Sequence, residues 1–208
     1  MAISGFSSSN RIRYSLATSV TYPITLASWV YEASNSNGPA LLTVWLDRNN
    51  RALLRVTSSG IRVTFALNDE DAGSTRTAGQ WNHLCVAADS ATSRRVYING
   101  ALITTHTASI SMPNNMHTVA IGRGLLDGSD DTSWDVLTSG YVAEQAVWSS
   151  ALTGDQVASL AKGFSPRRVK IKTLLHYTPL IRAMNDTAKG NISTTAGSLT
   201  VQNHPRII

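Results

Sequence analysis

The chain has 208 residues, 42% hydrophobic and 15% charged, with 14 Gly, 6 Pro and a single Cys. That balance excludes an intrinsically disordered chain, a collagen-like or low-complexity repeat and a disulfide scaffold, and it is enough to bury a core as one domain with an appendage. The net charge of +5 is unevenly placed: residues 1–163 hold eleven Lys and Arg against twelve Asp and Glu, while residues 164–208 hold seven against Asp186 alone, so a near-neutral body is expected to carry a cationic extension.

The opening, MAISGFSSSNRIRYSL, lacks the basic segment and apolar run of an export signal, and no stretch of 18 apolar residues follows. A reducing cytosol and no membrane association are therefore expected, and the glycan-acceptor triplets at Asn185 and Asn191 are read as coincidence. From residue 24 the sequence breaks into short runs rich in β-branched and aromatic residues: 24–31, 40–46, 51–57 and 60–67. Turn-forming clusters at 35–39, 47–50, 58–60 and 68–73 separate them. Further strands are predicted at 80–88, 94–99, 101–107, 118–122 and 139–148. Strand runs this closely spaced, with no helical period between them, predict an all-β, antiparallel two-sheet sandwich and exclude an α/β fold that needs crossover helices.

One helix is predicted after Thr153, which with Gln156 forms a capping box ahead of an apolar stripe at Val157, Leu160 and Ala161. Gly163 stands at a left-handed C-cap position with Pro166 beyond, so the helix is about two turns long and closes the body. Next, Arg168, Val169, Lys170, Ile171 and Lys172 alternate basic and apolar residues, the period of a strand with one cationic and one apolar face. The Ser/Thr/Gly-rich remainder is expected to order only against a neighbour.

Several segments now form a pattern in order: Ala27-Ser-Trp29-Val, Gln80-Trp81-Asn-His83, Val96-Tyr97-Ile-Asn99-Gly100, Ile121-Gly-Arg123 and Gly140 through Trp148 to Thr153. Together they resemble the concanavalin A-like jelly-roll superfamily in its laminin G-like and pentraxin-like branch, over residues 1–163. The resemblance implies two curved antiparallel sheets packed face to face. Asn99-Gly100 is a hairpin turn on its own chemistry, since both positions want positive φ. Trp29, Trp81 and Trp148 are read as core anchors in preference to a ligand-stacking platform, and His83, within the Trp-x-His motif, as structural. The segment after Gly163, with Leu175-His-Tyr-Thr-Pro-Leu180 and the terminal His204-Pro-Arg-Ile, resembles proteins of tailed-bacteriophage structural regions. That likeness implies a virion component, either head decoration or tail-associated. The leading expectation is a capsid decoration protein in a virion assembled in the host cytoplasm, a homo-oligomer docking on a major capsid protein or other virion subunits.

Catalysis is not expected. Glycan-cleaving enzymes of this fold face two or three carboxylates toward one sugar from alternate strand positions, and the close acid groups here, Asp69-Glu-Asp71 and Asp127 to Asp135, lie in turn-like segments. Cys85 lies in the apolar run Leu84-Cys-Val-Ala and reads as a buried hydrophobe rather than an activated thiol. No cofactor is expected. Asp127, Asp130, Asp131 and Asp135 are the candidate calcium ligands, although their spacing is not that of an EF-hand and a solvated acidic loop is the preferred reading. His83, His106, His117, His176 and His204 show no metal-ligand spacing.

The candidate partner-binding residues are Arg167, Arg168, Val169, Lys170, Ile171, Lys172, Arg182 and Arg206, read as a protein-docking arm. A nucleic-acid reading is set aside because only Tyr177 offers an interleaved aromatic. The alternative function is a carbohydrate-binding tail adhesin or lectin whose rim segment, Asp127 to Asp135 with Trp134, recognises glycan.

Overall fold

A computed structural model describes residues 2–4, 6, 11–34, 40–58, 60–73, 76–125, 134–136, 140–180, 184–191, 193–196, 199–205 and 207–208. In chain order the strands are β1 (Ala2–Ser4), β2 (Arg11–Val20), β3 (Ile24–Tyr31), β4 (Ala40–Trp45), β5 (Arg51–Thr57), β6 (Gly60–Phe65) and β7 (Asn68–Ala72). They continue with β8 (Trp81–Ser90), β9 (Ser93–Ile98), β10 (Ala101–His106), β11 (Met116–Ile121), β12 (Arg123–Leu125), β13 (Trp134–Val136) and β14 (Tyr141–Trp148). The helix α1 (Gly154–Ala161) precedes β15 (Leu174–Thr178), β16 (Ser193–Ala196) and β17 (Thr200–Gln202). One sheet runs β10-β9-β8-β3-β14-β1-β17, with β15 added beside β14; the other runs β16-β2-β11-β4-β5-β6-β7, and β12-β13 form a small ribbon. Every described pairing is antiparallel, so the expected sandwich is the observed one.

The alternation read in the sequence decides which side of each strand enters the core. Ile24, Leu26 and Val30 of β3, with Leu84 and Val86 of β8, face Val44, Leu54, Val63 and Val119 of the opposite sheet, all fully or almost fully buried. Each such side chain stabilises the fold by about 1.5–3 kcal/mol relative to exposure. A second apolar cluster lies on the outer side of the first sheet, where Ala27, Cys85, Ala87, Ala146 and Trp148 are covered by Leu152, Val157, Leu160, Val169, Leu174 and Tyr177.

Helix α1 is made as expected. Thr153 Oγ1 accepts from the Gln156 amide at 3.4 Å while Gln156 Oε1 accepts from the Thr153 amide at 3.0 Å. At its far end Gly163, at φ +91°, donates to the Leu160 carbonyl and Phe164 donates to that of Ser159, a Schellman closure. The Asn99-Gly100 turn has φ of 50° and 83°. Gly100 is required twice there, because a Cβ would also come 3.0 Å from Ala158 Cα in α1.

Residues 164–208 depart from the expectation of a detached arm. Strand β15 pairs with β14, β16 with β2 and β17 with β1, so these residues extend both sheets of their own subunit. Leu180 enters the core between the sheets. Asp186, buried, gathers the connecting loop by accepting from the backbone amides of Tyr177, Ala188, Lys189 and Asn191. The change of composition at Gly163 is therefore not a boundary of the fold.

The strand expected at 168–172 is also absent. Two single-turn 3-10 segments, Pro166–Arg168 and Ile171–Thr173, flank Lys170 in the left-handed region at φ 47°. Ser165 caps the first, accepting from the Arg167 amide, and Pro166 pre-sets a helical φ at its start. Local turn chemistry thus overrides the two-residue alternation.

Candidate functional site

The tryptophans expected in the core separate into two kinds. Trp148 is fully buried, but beneath α1 and residues 164–174 rather than between the sheets. Trp29 and Trp81 are only partly buried and lie on the outer side of the first sheet, beyond the end covered by the helix. The physical reason is parity: along β3 the core takes Ile24, Leu26 and Val30, so Trp29 and Tyr31 project the other way.

Across the strands this parity builds a patch of rings. Register pairs Tyr31 with Trp81 on β8 and with Tyr141 on β14, and pairs Trp29 with His83 and Ala143. Tyr31 stacks on Tyr141 with centroids 5.4 Å apart at 23°, and its ring lies 5.9 Å from that of Trp81. Trp29 meets His83 edge-on at 5.4 Å. Trp29, Tyr31, Trp81 and Tyr141 all keep part of their surface in solvent. Three neighbouring strands at about 4.8 Å spacing make the patch about 10 Å wide.

His83 anchors this patch from below. Its ring is buried, which drives its pKa down to about 3 and leaves a neutral imidazole beside Trp29. Its backbone amide donates to Asn99 Oδ1 at 2.8 Å, and Nδ1 has no hydrogen-bond partner among the described residues. Chemically the patch offers flat π faces and polar ring atoms, suited to a ligand with an apolar face and hydroxyl edges.

Glu144, unassigned in the sequence, sits at a bulge in β14 with φ 53°. Its carboxylate accepts from Tyr177 Oη at 2.6 Å and faces His204 Nε2 at 2.9 Å, so it fixes residues 177 and 204 to the sheet. Burial, reinforced by the Glu144 charge, pushes the Tyr177 hydroxyl pKa up. Burial likewise raises that of the Cys85 thiol, which stays un-ionised as the sequence implied.

Of the candidate partner-binding residues, Arg167, Arg168, Lys170, Ile171 and Lys172 are exposed on the two turns after α1. Val169 is corrected: it is buried, with its carbonyl accepting from Trp148 Nε1, and cannot serve a docking face. Arg182 and Arg206 lie outside the described residues, as do Asp127, Asp130 and Asp131, while Asp135 falls in β13 with its side chain undescribed. Among the described residues no three His, Cys, Asp or Glu side chains come together as a metal-holding group, and no helix is long and apolar enough to cross a membrane.

Sequence reading passed over Tyr31 and Tyr141 and placed Trp29 and Trp81 on the wrong side of the sheet. The signal was present, since Trp29 and Tyr31 are out of phase with Ile24, Leu26 and Val30. What could not be read was that three strands would bring these rings side by side.

A family model for the concanavalin A-like lectin/glucanase superfamily matches residues 6–158. No curated protein sequence matches this one. Among solved structures, a heptameric SAP-like pentraxin from Limulus polyphemus aligns with a TM-score of 0.65 and 16% identity, over 94% of this chain and 89% of that one. A putative carbohydrate binding protein from Bacteroides ovatus aligns with a TM-score of 0.69 and 17% identity, over all of this chain and 61% of that one. The CBM40 of a Ruminococcus gnavus sialidase, bound to α2,3 sialyllactose, aligns with a TM-score of 0.54 and 16% identity, over 74% of this chain and 94% of that one. At these identities the likeness is one of fold.

Proposed function

Because the chain belongs to the concanavalin A-like lectin/glucanase superfamily and carries an outward-facing aromatic patch, we propose that it is a non-catalytic carbohydrate-binding module whose ligand stacks on Trp29, Tyr31, Trp81 and Tyr141. The observation that carries this reading is the solvent access of these four rings on three adjacent strands. Large rings on an outer sheet face cost solubility unless something covers them, and a sugar ring presents C–H bonds to an aromatic face while its hydroxyls stay hydrated. The carbohydrate-binding neighbours support the same reading.

A capsid decoration role rests on the resemblance of the C-terminal residues. Since these residues extend the sheets of their own subunit, contact with a major capsid protein would have to use the exposed side chains around Arg168 rather than a free tether.

The test is a glycan array probed with the full chain and with Trp29→Ala and Trp81→Ala, with and without calcium. Retention on one glycan class, weakened about tenfold or more by either substitution, is expected. A blank array in both conditions, or binding indifferent to both substitutions, would overturn the proposal.

A further inference from the structure

The charges of the chain are not all used in the same way. In the body, three exposed carboxylates are matched: Asp71 Oδ1 meets Arg62 Nε at 2.7 Å, Asp69 lies 3.6 Å from Arg62, and Asp89 lies 2.6 Å from Arg95. Arg167, Arg168, Lys170 and Lys172 stand differently. All four are exposed within six residues of chain, and among the described residues none has a carboxylate at ion-pair distance. The one side-chain bond described for Lys170 is donation from Nζ to the Ala151 carbonyl at 3.2 Å.

The two turns that carry these cations fold against α1 and leave an open groove of about 330 Å³, lined by Asp155, Gln156, Ser159, Phe164, Arg168, Val169 and Lys170. Its chemistry is mixed. Arg168 and Lys170 favour an anion. Phe164, 38% exposed, offers a ring face. Asp155, Gln156 and Ser159 along the helix offer groups that pair with hydroxyls. A phosphodiester backbone or an anionic membrane surface brings dense negative charge but few hydroxyl donors, and leaves Asp155, Gln156 and Ser159 without partners. A ligand carrying acid groups and hydroxyls together satisfies every side of the groove.

We propose that this groove is a second binding site, separate from the aromatic patch, and that it takes the acidic units of a sulfated or uronic-acid polysaccharide. The sugar character of the ligand rests on the glycan-binding reading above, whereas its negative charge follows from Arg168 and Lys170 outnumbering Asp155 in the lining. The groove involves residues 155–170, for the most part beyond the segment that the superfamily model matches. Arg168 and Lys170 supply the charge, and Phe164 packs against a ring between acid groups. Association is then weakened by added salt, because exposed charges are screened within about 10 Å at 0.1 M ionic strength.

The experiment measures binding of the full chain to dextran sulfate, polygalacturonate and neutral dextran, and to anionic vesicles and single-stranded DNA, at 50 and 300 mM salt. Arg168→Gln/Lys170→Asn is compared with Trp29→Ala/Trp81→Ala, each checked for an unchanged melting temperature. Binding to one or both acidic polysaccharides but not to neutral dextran is expected, falling at least tenfold in Arg168→Gln/Lys170→Asn and unchanged in Trp29→Ala/Trp81→Ala. The sulfated and uronic arms identify the acid group. A blank neutral-glycan array with this result intact refutes the aromatic patch and leaves the groove standing. Equal affinity for vesicles or DNA, or binding that survives loss of Arg168 and Lys170, overturns the inference. A double variant that melts early is replaced by Arg167→Gln/Lys172→Gln on the same turns, for which a several-fold loss is expected and no loss counts against the site.

Discussion

The indole Nε1 of Trp148 donates to the carbonyl of Val169 at 2.9 Å, both residues being buried. This bond fastens the last strand of the superfamily-matched body to the turns that follow the helix. Around it Leu152, Val157, Leu160, Leu174 and Tyr177 close over the outer side of the sheet. The body and its basic continuation therefore share one apolar cluster.

A chain ending at Gly163 should consequently fail to fold cooperatively. It would lose β15, β16 and β17, uncover Trp148 and remove Leu180 from the core. Near-ultraviolet circular dichroism and a thermal melt check this. A truncated chain that melts sharply within a few degrees of the full one would show that the continuation is dispensable.

At Trp148 itself, size and hydrogen bonding can be separated. Trp148→Ala opens a cavity under the helix and should cost about 3–5 kcal/mol. Trp148→Phe keeps most of the volume but leaves the buried Val169 carbonyl unpaired, at about 1–3 kcal/mol. Urea denaturation of both variants gives the comparison, and an unchanged stability in Trp148→Phe would mean that the bond contributes nothing.

Acid should destabilise the fold through two histidines. Burial holds His83 at a pKa of about 3, and burial, partly offset by the Asp186 charge 3.7 Å away, holds His176 at about 4. In the unfolded chain both titrate near 6.5. Between about pH 6.5 and 4 the unfolded state therefore binds more protons, stability rises with pH, and the contribution present above 6.5 is lost as pH falls. Denaturation across pH 4–7 should show this slope, and His176→Gln should flatten it. A slope unchanged in that variant would refute the assignment.

Gly100→Ala tests the contact between the hairpin and the helix. The substitution places a side chain at φ +83° and drives a Cβ to 3.0 Å from the backbone of Ala158. The left-handed conformation alone costs about 1–2 kcal/mol, which lowers the melting temperature of a chain this size by about 2–8 °C. Displacement of α1 should deepen the loss. An unchanged melting temperature would mean that the hairpin and helix are free to move apart.

Breaking the buried ion pair between Arg94 and Glu70 offers a last check on how the sheets are joined. Arg94 is fully buried on β9, and its Nη2 lies 2.6 Å from Glu70 Oε1 on β7 of the opposite sheet. Glu70→Gln leaves the guanidinium without its charge partner and should cost about 3–5 kcal/mol, read as a drop in the urea midpoint. A loss below about 1 kcal/mol would indicate a pair accessible to water.

Strand content, the capping box at Thr153 and Gln156, the Asn99-Gly100 turn and the buried Cys85 were legible in the sequence because each depends on residues adjacent along the chain. Alternation fixes which side chains share a face, and cap and turn chemistry act within four residues. The same locality made the basic run at 168–172 misleading, since its alternation imitates a strand while Pro166 and the buried Val169 impose turns. It also hid the aromatic patch, because Trp29, Tyr31, Trp81 and Tyr141 come from three strands whose order in the sheet no short window encodes. Amino-acid order by itself determined the class of fold, the near-neutral body and the surplus of positive charge after Gly163. Tertiary structure alone decided that this charged segment completes both sheets, and that rings far apart in the chain meet on one face. Pairing between strands distant in sequence is selected by burial over the whole molecule, and that is settled only when all the strands compete for the same core.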